Sequence, residues 1–331
     1  DGLASPPGLA ATVTAATNRY RIKVFDLKQT WLPLPYPTTL VEDIDGTWLY
    51  DESTFNVFGE NTSTQQLTYT LRALDVRPSA EQLRAAPSPP VSVRRYLRLP
   101  RDLDPEIEVT ARAIAGSQPT AYDKALALQD WLRSEEFSYS TEVAQTIGDA
   151  NGGAAIVGFL ATRTGYCVHF ASTMAVMARQ LGIPARVAVG FTAGTPVTDG
   201  SGGRVVSLHD AHSWPELYFQ GVGWVAFEPT PAVRTGEPPE WARAGAAGPD
   251  TPTPTSSAAP SPTATAAPEN PRLRERQDTL ELDAARDQGG SGGDLPVLPL
   301  VVGLALLGLL SVPAGLRWGV RQRRWSGARG P

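Results

Sequence analysis

Residues 165–191 read GYCVHFASTMAVMARQLGIPARVAVGF, and residues 210–231 read DAHSWPELYFQGVGWVAFEPTP. In the first segment, apolar residues recur at helical spacing from Phe170 to Leu181, and Gly182 ends the predicted helix. The alternating segment ARVAVGF then predicts a strand, and the second segment predicts two strands joined by a tight loop at QGVG. Together they predict an α+β fold in which one helix packs on an antiparallel sheet.

Cys167 is the single cysteine of the chain, so it forms no disulfide within the chain. A lone cysteine is often a small buried core residue. This one lies where the predicted helix begins, and unpaired N–H groups and the helix dipole at that end lower the pKa of a thiol. Gly165, two residues earlier, allows a close approach by a substrate. These features favour a reactive thiolate nucleophile over a core residue.

A thiolate nucleophile needs a histidine as base and acid. The chain has three histidines, His169, His209 and His212. His169 follows Cys167 by two residues on the same helix, so it points to another face. His209 and His212 are predicted to lie on or near a strand, and their odd separation directs them to opposite faces. At most one of these two therefore faces Cys167.

The predicted hairpin supplies a carboxylate for one of them. A turn centred near Gln220 places His212 opposite Glu228, and a shift of one or two residues leaves the two as diagonal neighbours. Glu228 is therefore the predicted orienting carboxylate. Asp210 shares a face with His212 but lies about 6.6 Å along the strand, so it is the second choice.

The N-terminal part of the chain predicts a separate β-rich domain. Within residues 1–90, alternating apolar segments such as YRIKVFDL are separated by turn signals such as Asp45-Gly46. Residues 80–100 predict only a connection rich in Pro, Arg and Ser.

Residues 100–235 form the predicted second domain. Its first two helices begin after Asp104 and Thr120, which are good N-caps. An apolar stripe on the second helix includes Trp131, which we interpret as a core residue. A third helix is predicted at about residues 153–163.

The C-terminal part predicts a tethered protein. Residues 236–294 are rich in Pro, Thr and Ala and predict a disordered linker. Residues 295–316 are uncharged over the length of a transmembrane helix, and five arginines follow within 317–331. The arginines predict a cytoplasmic tail, with everything before the helix outside the cytoplasm. Because export needs an earlier signal or membrane helix, we expect the sequence to be part of a longer protein.

Composition excludes some classes of function. The net charge of −5 over 331 residues argues against nucleic-acid binding, which needs a basic face. Cys-x-His and His-x-x-His spacings suggest a zinc site as an alternative, but the predicted helix start and strand direct these side chains apart. We therefore predict no metal, no calcium site and no cofactor.

The two segments quoted first resemble the core of bacterial transglutaminase-like proteins, and in particular the membrane-anchored TgpA-like group. The resemblance covers about residues 100–232, and YRIKVFDL and WLPLPYP resemble the region that precedes the core in actinobacterial members. It implies a papain-like fold, a Cys–His–Asp triad, anchoring in the membrane and further membrane helices upstream. Cys167 and His212 match the motif residue by residue.

Two residues depart from the family pattern. Glu228 stands where aspartate is usual, and its longer side chain is less fixed in orientation. Pro215 removes a backbone donor and predicts an edge strand or a bulge.

The resemblance and the residues predict a thiol acyltransferase that acts through Cys167, His212 and Glu228 on extracytoplasmic peptide or protein amides. The predicted location makes cell-wall-associated substrates one candidate. The same triad serves a cysteine protease or amidase, which sequence does not separate from transamidation. An inactive binding or scaffolding module of the cell envelope is the third hypothesis, kept open by the two departures.

Overall fold

The computed structural model describes residues 2–3, 6–142 and 152–243 of the chain. The predicted membrane helix, the basic tail and most of the predicted linker lie outside these residues. Within the described ranges no helix is long and apolar enough to cross a bilayer.

Antiparallel strands make up the N-terminal region. These strands are β1 (Thr14–Lys23), β2 (Thr38–Glu42), β3 (Trp48–Asp51), β4 (Asn56–Gly59) and β5 (Thr68–Arg77). One sheet has the order β1-β5-β2, and β3 pairs with β4 in a separate hairpin. Tyr69 and Leu71 of the central strand β5 are fully buried in the apolar cluster of this region.

The connection after β5 is more regular than predicted. It contains a short helix α1 (Ala80–Arg84) and a 3₁₀ turn at Val91–Leu97. Ser79 and Gln82 form a reciprocal capping box, with each backbone N–H bonded to the other side chain. Leu83 is buried in the main core of the molecule. This cap and this anchor explain why the segment is ordered, and the predicted boundary near residue 90 stays a prediction.

Helices form one layer of the core. They are α2 (Pro105–Ala115), α3 (Ala121–Leu132), α4 (Gly153–Thr162) and α5 (Cys167–Gln180). Asp104 accepts a hydrogen bond from Glu106 N, and Thr120 accepts one from Asp123 N, so both predicted caps are confirmed. Trp131 packs against Phe137 at the edge of the core, as interpreted from the sequence.

A second antiparallel sheet forms the other layer. The remaining strands are β6 (Ser138–Tyr139), β7 (Thr164–Gly165), β8 (Ala185–Phe191), β9 (Thr195–Pro196), β10 (Arg204–Val205), β11 (Ala211–Phe219) and β12 (Gly223–Ala226). The sheet has the order β12-β11-β8, and α5 packs against β11. Phe170 and Met174 of α5 share one core with Leu217 and Phe219 of β11. The predicted α+β core, a helix on an antiparallel sheet, is confirmed.

Pro215 does not lie where its chemistry predicted. It occupies the middle strand β11, opposite Val187 of β8, rather than an edge strand. Its carbonyl accepts a hydrogen bond from Phe227 N at 3.0 Å. Proline has no N–H with which to return that bond, so the pairing of β11 with β12 is one-sided here and β12 ends at Ala226. The missing donor lies where the neighbouring strand ends, and the register of β11 with β8 continues past Pro215 without a bulge.

Candidate active site

Cys167 is the first residue of α5, and its side chain is buried at the start of the helix. Its backbone N–H lies in the first turn, where helix geometry provides no intrahelical acceptor. The side chain of His169 accepts a hydrogen bond from Tyr166 N at 3.3 Å and so caps this turn. The chain thus presents a thiol, and an N–H without an intrahelical acceptor, at one helix end.

His169 has a structural role. Its ring stacks on Phe159, with 5.7 Å between the centroids, and packs edge-on against Tyr166. Burial lowers the pKa of His169, so the ring stays neutral and can accept the capping bond. His169 therefore stabilises the first turn of α5.

His212 is the second residue of β11 and pairs with Gly190 of β8. Its Nε2 lies 2.7 Å from Oε2 of Glu228, and Oε1 of Glu228 accepts a hydrogen bond from Thr230 N at 3.0 Å. The His212 and Glu228 side chains are only 3% and 12% exposed, so water competes weakly for this contact. Both carboxylate oxygens are occupied, which fixes the imidazole plane.

The other ring nitrogen of His212 is available to the thiol. Nδ1 is buried and makes no hydrogen bond of ordinary geometry with any described residue. The Cys167 thiol lies close enough for ring and thiol to shift each other's pKa. Such a loose contact between nucleophile and base is usual before substrate binds.

The electrostatics favour a charged pair. Burial raises the pKa of the Cys167 thiol, but His212 and Ser213 outweigh it and the pKa falls to about 7. Burial lowers the pKa of His212, but Cys167 and Glu228 outweigh it and the pKa rises to about 9. Between these values the site holds a thiolate and an imidazolium, which is the reactive state of a cysteine nucleophile.

The hairpin register differs from the prediction by two residues. Glu216 pairs with Ala226 and Phe219 with Gly223, so the turn is centred on Gly221 and not on Gln220. In this register Glu228 is diagonal to His212. The two side chains still meet, as expected for diagonal neighbours, and Glu228 lies beyond the end of β12.

The other candidates lie apart from the thiol. His209 lies in an exposed 3₁₀ turn before β11, so the strand alternation used to place it was wrong. Asp210 accepts hydrogen bonds from Ser207 N and Oγ, which lower its pKa and commit it to that turn. No group of three or more His, Cys, Asp or Glu in the described ranges could hold a metal ion, so the zinc alternative has no support there.

Three residues of the site were missed by sequence reasoning. Ser213 helps to lower the pKa of the Cys167 thiol, and Gln129 and Arg133 of α3 bond the backbone of Glu228. Gln129 is fully buried between apolar positions of its helix, and a polar residue on an apolar stripe is the signal that could have found it.

Two family models match the chain. Residues 108–229 match the transglutaminase-like superfamily, and residues 1–80 match the TgpA N-terminal domain. The chain is a TgpA-like, transglutaminase-like protein. The segment that carries Cys167, His212 and Glu228 lies within the transglutaminase-like match.

Relatives and solved structures agree with this family. The chain is 37% identical over 139 residues to the uncharacterized protein YebA of Bacillus subtilis, covering 41% of this chain and 19% of YebA. It is 32% identical over 153 residues to a protein-glutamine gamma-glutamyltransferase of Pseudomonas aeruginosa, covering 45% of this chain and 22% of that protein. The matches thus span about a fifth of the length of these curated relatives.

The fold is similar to that of the periplasmic domain of TgpA from Pseudomonas aeruginosa. The TM-score is 0.52 at 23% sequence identity, and the match covers 68% of this chain and 76% of that domain. This similarity shows that the described residues share the fold of that domain, and residues 108–229 carry the transglutaminase-like match.

Proposed function

We propose that the transglutaminase-like core is a thiol acyltransferase in which Cys167 is the nucleophile, His212 the acid and base, and Glu228 the orienting carboxylate. One observation carries this proposal. A helix-start thiol with a pKa lowered to about 7 lies beside a buried histidine whose far nitrogen is 2.7 Å from a carboxylate. A structural cysteine would need no such partner.

In the acylation step, the Cys167 thiolate attacks the carbonyl carbon of an amide. The backbone N–H of Cys167 has no intrahelical acceptor in the first turn of α5 and is one donor for the developing oxyanion. The carbon–nitrogen bond breaks as His212 gives its Nδ1 proton to the leaving nitrogen. The products are a thioester on Cys167 and ammonia or an amine.

In the second step, a primary amine attacks the thioester. The neutral Nδ1 of His212 takes a proton from the attacking nitrogen, a new amide forms, and the thiolate leaves. The thiolate and the imidazolium are thereby restored. Glu228 keeps the His212 proton at Nε2 throughout, so that Nδ1 is always the atom that exchanges protons with the reactants.

We further propose protein glutamine side chains as acyl donors and a site of action outside the cytoplasm. The glutamine assignment is supported by the name of the Pseudomonas aeruginosa relative, a protein-glutamine gamma-glutamyltransferase. The location is supported by the predicted membrane helix at 295–316 and by the fold similarity to a periplasmic domain.

The experiment measures transamidation and hydrolysis in parallel. The full chain is incubated with a glutamine-containing protein and a fluorescent primary amine, and amine incorporation and ammonia release are followed. We expect incorporation by the wild type and none by Cys167→Ala. A matched control is His209→Ala, which changes an exposed histidine outside the site and should retain incorporation.

Two other outcomes correspond to the alternative functions. Ammonia release or peptide cleavage without amine incorporation, lost in Cys167→Ala, would show an amidase or protease with the same residues. The second outcome is an absence of all turnover together with a Cys167 that reacts with iodoacetamide at pH 7 no faster than an ordinary buried thiol. That result favours the binding or scaffolding module and excludes the acyltransferase.

A further inference from the structure

Both backbone groups of Glu228 are held by side chains of one helix. Gln129 Oε1 accepts a hydrogen bond from Glu228 N at 3.0 Å, and Arg133 Nη1 donates one to Glu228 O at 3.0 Å. Gln129 and Arg133 are four residues apart on α3 and its C-cap, so they project from the same side of the helix. The chain at Glu228 is therefore attached to a helix at the point where the sheet no longer holds it.

The same two side chains fix the segments that follow. Arg133 also donates to the carbonyls of Thr230 and Gly236, and Gln129 Nε2 donates to Ala242 O at 2.6 Å. Gln129 is fully buried, and both ends of its amide are bonded. A buried amide that satisfies two separate backbone groups constrains both of them, since moving either one leaves a polar atom unpaired.

Glutamate needs such a constraint more than aspartate does. Its side chain has one more rotatable bond, so a loose backbone would let the carboxylate leave the His212 ring. With the backbone fixed, the Thr230 N–H holds Oε1 at 3.0 Å and turns Oε2 toward His212 Nε2. The geometry of the carboxylate thus depends on contacts at both ends of the residue.

We propose that Gln129 and Arg133 are positioning residues that hold Glu228 against His212 and so sustain the thiolate–imidazolium pair. The proposal rests on the roles assigned above to Cys167, His212 and Glu228. Neither Gln129 nor Arg133 touches the reacting atoms. Their effect on His212 passes through Glu228, and this distinguishes them in experiments from residues that merely stabilise the fold.

The chain offers a matched control. Arg179 is half-buried like Arg133, and burial likewise lowers its pKa. It also donates to backbone carbonyls of the described residues, those of Ala185 and Arg98. It lies near the end of α5 opposite to Cys167. Arg133→Met and Arg179→Met therefore remove similar interactions, but only the first removes a support of Glu228.

The measurements are the His212 pKa by NMR, the pH dependence of Cys167 alkylation, and Tm, all on the full chain. We expect Arg133→Met to lower the His212 pKa by about one unit, the effect of weakening one charge-assisted hydrogen bond. Cys167 alkylation at pH 7 should slow accordingly. Arg179→Met should lower Tm to a similar extent but should leave the His212 pKa and the pH dependence of Cys167 alkylation unchanged.

Two further variants keep the proposal open to refutation if Arg133→Met does not fold. Arg133→Lys retains a donor and should restore part of the shift, whereas Gln129→Met should lower the His212 pKa without removing a charge. In a Glu228→Gln background, Arg133→Lys and Gln129→Met should have no further effect on His212. Two results would overturn the proposal. One is an equal shift of the His212 pKa in the Arg133 and Arg179 variants, and the other is a full shift of the His212 pKa in the Glu228→Gln background.

These readouts separate this inference from the proposed function. Alkylation and NMR titration need no substrate. A chain without amide turnover in which Arg133→Met still shifts His212 would retain the positioning role and lose the acyltransferase. Turnover that depends on Cys167 but does not change in the Arg133 and Gln129 variants would support the acyltransferase and contradict the positioning role.

Discussion

Two carboxylate–cation pairs each include one residue of β11, and the two pairs have different roles. At the start of the strand His212 contacts Glu228, and four residues later Glu216 contacts Arg186 at 2.6 Å. Strand alternation puts His212 and Glu216 on the same face. The cation of the first pair is an imidazolium whose pKa is raised to about 9, and this pair adjoins the Cys167 thiol.

The second pair is enclosed by aromatic rings. The Arg186 guanidinium lies 4.5 Å from the Trp224 ring centroid and 4.9 Å from that of Tyr36. Tyr36 belongs to the N-terminal region, so this ion pair ties that region to the second sheet. The comparison teaches that a buried ion pair is a candidate for catalysis when its cation can lose its proton and a nucleophile is in reach, and otherwise links structural elements.

The largest expected effect follows from breaking the first pair at the histidine. His212→Ala removes the base that lies beside Cys167, and we expect amine incorporation to fall by on the order of 10⁴-fold. The thiol pKa should return toward about 8.5, so alkylation at pH 7 should slow. Rates of incorporation and alkylation check this, and His169→Gln, which changes a histidine of the same helix entry, should retain alkylation at the lowered pKa. Unchanged alkylation in His212→Ala would contradict the assignment of the base.

Breaking the second pair should cost stability instead. Glu216→Ala leaves Arg186 buried without its partner, and we expect a loss of about 3–5 kcal/mol in the free energy of unfolding. Urea denaturation measures this loss, and Glu216→Leu combined with Arg186→Met should recover part of it. The folded fraction of Glu216→Ala should keep the pH dependence of Cys167 alkylation. A displaced pH profile would show that the two pairs are coupled.

The smallest expected effect concerns the pH range of activity. Acylation needs a thiolate and a protonated His212, so kcat/KM should rise with pH near about 7 and fall near about 9. Glu228→Gln removes a negative charge that raises the His212 pKa, so the upper limb should move to lower pH and the maximal rate should fall roughly 10- to 100-fold. Glu216→Gln is the control and should leave both limbs in place. A pH profile of Glu228→Gln identical to wild type would refute the orienting role.

The sequence was a sound guide wherever the signal was local. The helix that begins at Cys167, the caps at Asp104 and Thr120, and the order helix, strand, strand, strand all depend on residues near one another in the chain. The sequence predicted the register of β11 against β12 less well, because a turn centred on Gln220 and one centred on Gly221 differ little in local energy. It placed Pro215 at an edge because it could not show that β12 would end beside it.

The chain's own sequence determined that one thiol lies at a helix start and that His212 and Glu228 flank a hairpin. Only the tertiary structure decided that Nε2 of His212 meets Glu228 and that α3 holds the backbone of Glu228 through Gln129 and Arg133. The reason is physical: helix periodicity and capping act over a few residues, whereas the Gln129–Glu228 contact joins residues 99 positions apart. Contacts of such separation depend on how the core packs, so no local sequence pattern predicts them.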